Sequence, residues 1–233
     1  MTGSAMTGPM TGIELCVFDA YGTLYDFNSA VARHRAAVGP KADALSEMWR
    51  GKQIQYTWLR NSMGAYAPFW QVTGEALDHC LAAQGITDPS VRERLMGAYL
   101  ALDPFPEVPE MLDRLRRAGV RCAILSNGNP EMLDPMVRTS GLADRFDAVL
   151  SVNSVGVFKV DPKVYALVEA RCGVTPGRVC FLSSNCWDAH GAARFGFNTV
   201  WVNRADAPDD NLPGKIVTQV KDLSALPSLL GVA

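Results

Sequence analysis

Two hydrophobic rhythms alternate along this chain, and the points where one gives way to the other mark its organisation. A largely apolar run, Ile13 to Phe18, stops at Asp19 and is followed by Gly22 and Thr23. A short apolar run bounded by a Gly turn predicts a buried parallel strand with Asp19 at its C-terminal end. From about Ser29 to Tyr99 the apolar positions recur at helical spacing instead, with no convincing strand. Leu45, Met48 and Trp49 share one face, as do Ile54, Trp58 and Leu59, and then Leu77, Cys80 and Leu81. The proline-rich stretch from Leu102 to Pro109 breaks this pattern. Beyond it helices and strands alternate, the signature of a parallel α/β sheet. Helices are predicted over 109–118, 131–140, 162–171 and 187–195, and strands over 120–125, 148–150, 179–182 and 198–202. A last strand near 215–220 and a helix near 223–230 complete the chain.

Each strong strand ends in a polar cluster: Asp19 with Thr23, then Ser126-Asn127-Gly128, then Ser183-Ser184-Asn185 with Asp188. Parallel sheets bind ligands outside the carboxyl ends of their strands, so three such clusters on one edge constitute a site. Asp19 alone is open to four readings: metal ligand, base, nucleophile, or cap of the following turn.

Composition narrows the field. The chain is 48% hydrophobic and 20% charged, an ordinary globular balance, and its net charge of −2 leaves no basic footprint for nucleic acid. No apolar segment approaches the roughly 20 residues that span a bilayer. Met1-Thr2-Gly3, Met6-Thr7-Gly8 and Met10-Thr11-Gly12 repeat one another without the features of a signal peptide. Residues 1–12 are therefore read as a disordered leader, alternative starts or an expression artefact, outside the fold. The six cysteines are scattered with no CxxC pair, and Cys16, Cys122 and Cys180 lie in or beside apolar runs. Buried, reduced thiols and a cytoplasmic setting are expected. Cys186 stands apart, inside a polar cluster. His34, His79 and His190 read as structural or exposed, since no pair of them has metal-ligand spacing with a third ligand.

Taken together, Asp19-Ala20-Tyr21-Gly22-Thr23, Leu125-Ser126-Asn127-Gly128, Lys159 and Ser183-Ser184-Asn185-Cys186-Trp187-Asp188 resemble the haloacid dehalogenase superfamily. The resemblance implies an α/β fold: a Rossmann-like parallel sheet core, residues 13–27 and 102–233, flanked by helices. An all-helical cap, residues 28–101, is inserted after the first strand. Metal-dependent phosphatases of that superfamily carry a second Asp two residues after the nucleophile, where this chain has Tyr21. They also keep a carboxylate pair in the last motif, where Ser184 stands in the first place and leaves Asp188 alone. Mg²⁺ depends on such carboxylates, so no metal ligand set is assigned and no cofactor is expected. The same departures are similar to the L-2-haloacid dehalogenases, as is Trp49-Arg50-Gly51-Lys52-Gln53-Ile54-Gln55-Tyr56-Thr57-Trp58 in the insertion.

That resemblance implies displacement of halide from short (S)-2-haloalkanoic acids by Asp19, then hydrolysis of the aspartyl ester to an (R)-2-hydroxy acid. Arg50, Asn127 and Trp187 would contact the halide, and Ser126 with backbone N–H groups near Tyr21 the substrate carboxylate. Lys159 would supply compensating charge, supported by Tyr165. Thr23, Ser183 and Asn185 would orient the carboxylate and the water, and Asp188 would take the water's proton. Trp49, Trp58 and Phe69 read first as insertion core; by resemblance Trp58 and Phe69, with Ile54, line an apolar wall. A homodimer is expected by resemblance. Phe158, Val160, Asn153, Gly51 and Cys186 depart from the family's pattern, and Gly51 would open the pocket mouth. The competing expectations are a Mg²⁺-dependent phosphatase and a silent binding protein that has kept the fold.

Overall fold

The structure, a computed structural model, describes residues 10–232. Its centre is Leu15–Phe18 (β1), whose four side chains are all buried. After β1 the chain turns and forms the two-residue strand Tyr25–Asp26 (β2). Five helices follow: Ser29–Arg33 (α1), Arg35–Val38 (α2), Ala42–Met63 (α3), Phe69–Gln84 (α4) and Pro89–Tyr99 (α5). The chain returns through Asp103–Pro104 (β3), which pairs antiparallel with β2. This small ladder is the neck of the helical insertion: exit and entry lie side by side. Such short strands carry no periodicity, and the sequence pattern does not predict them.

The alternation then runs Val108–Arg117 (α6), Arg121–Ser126 (β4), Pro130–Thr139 (α7), Ala148–Ser151 (β5), Pro162–Cys172 (α8) and Val179–Ser183 (β6). Cys186–Phe195 (α9), Asn198–Val202 (β7), Thr218–Val220 (β8) and Leu226–Leu229 (α10) complete it. The other six strands form one parallel sheet in the order β5-β4-β1-β6-β7-β8. From β1 the chain builds outward through β4 and β5, then crosses back to β6 on the other side. The switch point is at β1, and the crevice it creates lies above the carboxyl ends of β1, β4 and β6.

Three expectations are corrected. Trp58 and Leu59 are not on the buried face of α3: they are 41% and 46% exposed, while Leu45, Trp49, Gln53, Ile54 and Thr57 point inward. The last strand is only Thr218–Val220, and the terminal helix is a 3-10 turn over Leu223–Ala225 followed by the single turn of α10, with Pro227 in its first turn. Met10, assigned to the leader, is buried and donates its N–H to the carbonyl of Leu229 at 2.7 Å. The rest of the leader before it lies outside the described residues. All six cysteines are buried and unpaired.

Candidate active site

β1 hands Asp19 to the crevice while still paired with β6, since the Asp19 N–H donates to Leu182 O at 2.9 Å. The chain then doubles back over Ala20, whose carbonyl accepts from the N–H groups of Leu24 and Tyr25. Gly22 makes this turn possible. It has φ +87°, and a Cβ there would lie 2.8 Å from Ser184 Oγ. Arg204 pins the turn from outside, donating to the carbonyls of Gly22 at 3.3 Å and Thr23 at 2.8 Å while paired with Glu107 at 2.7 Å.

Asp19 is 5% exposed, and its carboxylate is held by three donors. Lys159 Nζ donates to Oδ1 at 2.9 Å, Asn185 Nδ2 to Oδ2 at 2.9 Å, and Thr23 Oγ1 to Oδ2 at 3.3 Å. Lys159 is itself 1% exposed and bridges to Asp188 Oδ2 at 2.8 Å. Burial is the largest influence on the Lys159 ammonium and pulls its pKa down, but Asp188 and Asp19 outweigh it and leave the pKa above the ordinary lysine value. Burial, the larger influence on Asp188, pushes that carboxyl up against the opposing pull of Lys159. One ammonium thus compensates two buried carboxyl groups, and the arrangement stands only while that ammonium is present.

Several predicted residues serve this network indirectly. Tyr165, expected to support Lys159, donates its hydroxyl to Asp188 Oδ1 at 2.8 Å. It therefore braces the lysine's partner, with its proton committed to Asp188. Ser183 Oγ accepts from the Asn185 N–H at 3.2 Å, orienting the residue that touches Asp19 and not Asp19 itself. Asn127 Oδ1 accepts from the Lys159 N–H at 3.0 Å and so fixes the lysine loop. Ser126 is fully buried at the end of β4, and its hydroxyl accepts from the Gly128 N–H at 3.0 Å.

The helical insertion brings a different set. Arg50 of α3 donates to Tyr21 O at 3.4 Å, Asn185 Oδ1 at 3.2 Å and Gln53 Oε1 at 2.7 Å, all neutral oxygens, and lies over the Phe27 ring at 5.0 Å. Tyr21 is 2% exposed, with its ring centroid 5.4 Å from Tyr99 and 5.7 Å from Phe69. Its hydroxyl has no hydrogen-bond partner among the described residues. Burial raises its pKa well above the usual phenol, so the proton stays on and can be donated. The hydroxyl faces Gly128, where a Cβ would lie 2.8 Å from it. Phe69 is buried between Tyr21 and Phe158, and Ile54 is buried on the inner face of α3. Trp58 meets Trp187 edge-to-face at 5.4 Å, and both line an open cleft of about 780 Å³ with Asn61, Val160 and Leu212. Asp19 does not line that cleft, so Trp58 and Trp187 belong to its outer wall. Gly51 is exposed with open space where a Cβ would stand.

Sequence reasoning missed Gln53, Asn61 and Arg204. Gln53 accepts from Arg50 and from Tyr99 at 3.1 Å and donates to Thr73 Oγ1 at 2.7 Å, setting the guanidinium. Its signal was its place three residues after Arg50 on one helix face. Asn61 makes two hydrogen bonds to the Phe158 backbone, at 2.8 and 2.9 Å, tying the insertion to the lysine loop. Asn61 and Arg204 act on backbone groups distant in sequence, for which the chain offers no local sign.

Residues 13–196 match the family model of haloacid dehalogenase-like hydrolases. (S)-2-haloacid dehalogenase 1 of Pseudomonas sp. (strain CBS-3) is 45% identical over 222 residues, covering 95% of this chain and 98% of that one. A dehalogenase crystal structure matches with a TM-score of 0.94 at 44% identity, covering 96% of this chain and all (100%) of that one. The structure of L-2-haloacid dehalogenase from Xanthobacter autotrophicus with chloropropionic acid covalently bound matches with a TM-score of 0.87 at 39% identity. It covers 94% of this chain and 98% of that one.

Proposed function

The chain belongs to the L-2-haloacid dehalogenases among the haloacid dehalogenase-like hydrolases, and from that premise we propose that it hydrolyses short (S)-2-haloalkanoic acids to (R)-2-hydroxy acids and halide. One Asp19 oxygen attacks C2 from the face opposite the halogen. The carbon–halogen bond breaks with its electron pair going to the halide, leaving an ester between Asp19 and the substrate. Water then adds to the Asp19 carbonyl carbon, the ester oxygen departs with the product, and one proton is released. The observation that carries this reading is the three-donor cradle of Asp19 beside a guanidinium whose contacts are all neutral. A positive group without a carboxylate partner suits a departing anion.

The unpartnered Tyr21 hydroxyl supports a polar substrate group at the same turn, since a buried hydroxyl without a partner costs about 1–3 kcal/mol. Residues 28–101 act as the cap over a core of 13–27 and 102–233. A cytoplasmic homodimer is the setting that the resemblance and the six buried, unpaired thiols support. No described helix is long and apolar enough to cross a membrane. The Mg²⁺-phosphatase reading is weaker because Tyr21 and Ser184 stand where its carboxylates would be and Asp188 is engaged by Lys159.

The test is halide release from the separate enantiomers of 2-chloropropionate in EDTA. The expected result is halide from the S enantiomer with R-lactate as product. Inactivity in EDTA, with Mg²⁺-dependent release of phosphate from phosphate esters, would overturn the reading.

A further inference from the structure

Cys186 opens α9 and His190 follows one turn later, so both side chains project from the same face of the helix. That face meets the loop between β7 and β8, which brings Asp209 to them. Ligand atoms of Cys186, His190 and Asp209 all lie within 4.8 Å of one another. Cys186 and His190 are 8% and 5% exposed, while the Asp209 side chain is 47% exposed and gives access from solvent.

Both ring nitrogens of His190 have a defined partner. Its Nδ1 lies 2.8 Å from the carbonyl of Gly214, which can only accept, so Nδ1 carries a proton. Its Nε2 lies 2.8 Å from Asp209 Oδ1. Asp209 Oδ1 also accepts from the Asn211 N–H at 2.6 Å, which fixes the carboxylate facing the ring. A neutral imidazole would set two lone pairs against each other at that distance. The space between Nε2 and Oδ1 suits a cation, and the Cys186 thiol stands beside it. A proton would join only the imidazole and the carboxylate, whereas a metal ion would also take the Cys186 sulfur as a ligand.

The geometry points to a site for a zinc-class divalent metal formed by Cys186 Sγ, His190 Nε2 and an Asp209 carboxylate oxygen. Thiolate, imidazole and carboxylate are the three donor types such ions take. The Nδ1–H bond to a backbone carbonyl is the outer contact that fixes a metal-binding histidine in the required tautomer. Tetrahedral bond lengths place ligand atoms roughly 3.3–3.8 Å apart, so closure requires side-chain shifts on the order of 1 Å. Burial holds the Cys186 thiol at about 11, and binding therefore expels its proton: thiol plus M²⁺ gives metal thiolate plus H⁺. The site is independent of the Asp19 chemistry, but Asp210 and Leu212 of the same loop line the outer cleft with Trp187. A metal here would fix that wall.

The probe is Co²⁺ added to the EDTA-treated, reduced full-length protein, read by thiolate-to-metal charge-transfer absorption and by equilibrium dialysis. One Co²⁺ per chain is expected with a thiolate band, and Zn²⁺ should displace it. Cys186→Ala should abolish the band, and His190→Gln and Asp209→Asn should weaken uptake at least ~10-fold. Asp209 lies on an exposed loop, so its variant reports on binding even if the helix variants fold poorly. Absence of a thiolate band in the wild type, or uptake by Asp209→Asn and Cys186→Ala equal to wild type, would overturn the proposal.

Discussion

The sheet edge and the helical insertion meet at Asp19 with opposite constructions. On the sheet side, charge is buried and compensated: Lys159 lies between Asp19 and Asp188, and Tyr165 closes the far end. On the insertion side, one guanidinium rests on neutral oxygens and an aromatic ring, beside Tyr21, Tyr99 and Phe69. The sheet-side groups need one another in order to be buried at all. The insertion-side groups do not, and they hold their polar capacity for a ligand. Stability and catalysis should therefore be coupled on one side and separable on the other.

Lys159→Met should give the largest effect. Removing the ammonium leaves two buried carboxyl groups facing each other, which costs about 3–5 kcal/mol of stability. It should also lower turnover roughly 10³-fold or more, through loss of the charge that keeps Asp19 a nucleophile. The pH dependence has a definite sign. The folded Lys159 pKa is raised, so its stabilisation is complete below the unfolded lysine pKa and is lost as pH rises through the higher folded value. Thermal melts across the alkaline range should show this step in the wild type and not in Lys159→Met.

Arg50→Ala comes next. It should lower kcat roughly 10²–10³-fold while leaving the melting temperature close to wild type. A stability loss comparable to that of Lys159→Met would break the comparison, since the arginine would then be part of the framework. Trp58→Ala should give the smallest effect. At 41% exposure it should change stability by no more than about 0.5 kcal/mol and alter KM for longer substrates more than kcat.

The difference between the two sides also explains what could be read in the chain. The buried strands are legible because a strand covered on both faces is an apolar run ending in a polar cluster; the run 198–202 matches β7 at both ends. The same logic located Asp19, Ser126, Asn127, Ser183 and Asn185 at strand ends. Their motifs, by resemblance, supplied the assignments of Arg50 and Lys159. What escaped was set by partners remote in sequence. The β2–β3 ladder joins residues across the whole insertion. Arg204 reaches back to the turn after β1. Tyr165 is expected from the resemblance to support Lys159, yet its hydroxyl goes to Asp188, a bond that depends on how α8 packs against α9. Trp58 shows the limit of periodicity: an aromatic at helical spacing lies at a cleft instead of in the core. Cys186 and His190 stand at i and i+4, yet the third member of their cluster comes from a separate loop.

The central claim is that Asp19 becomes covalently bound to the substrate and is freed by water attacking its own carbonyl carbon. A single turnover in H₂¹⁸O, with enzyme in excess over (S)-2-chloropropionate, tests this most directly by mass spectrometry of both the Asp19 peptide and the product. The account predicts ¹⁸O in the Asp19 carboxylate and an unlabelled hydroxyl in the lactate. Label in the lactate hydroxyl with none in Asp19 would contradict it, because water would then have attacked the substrate carbon itself.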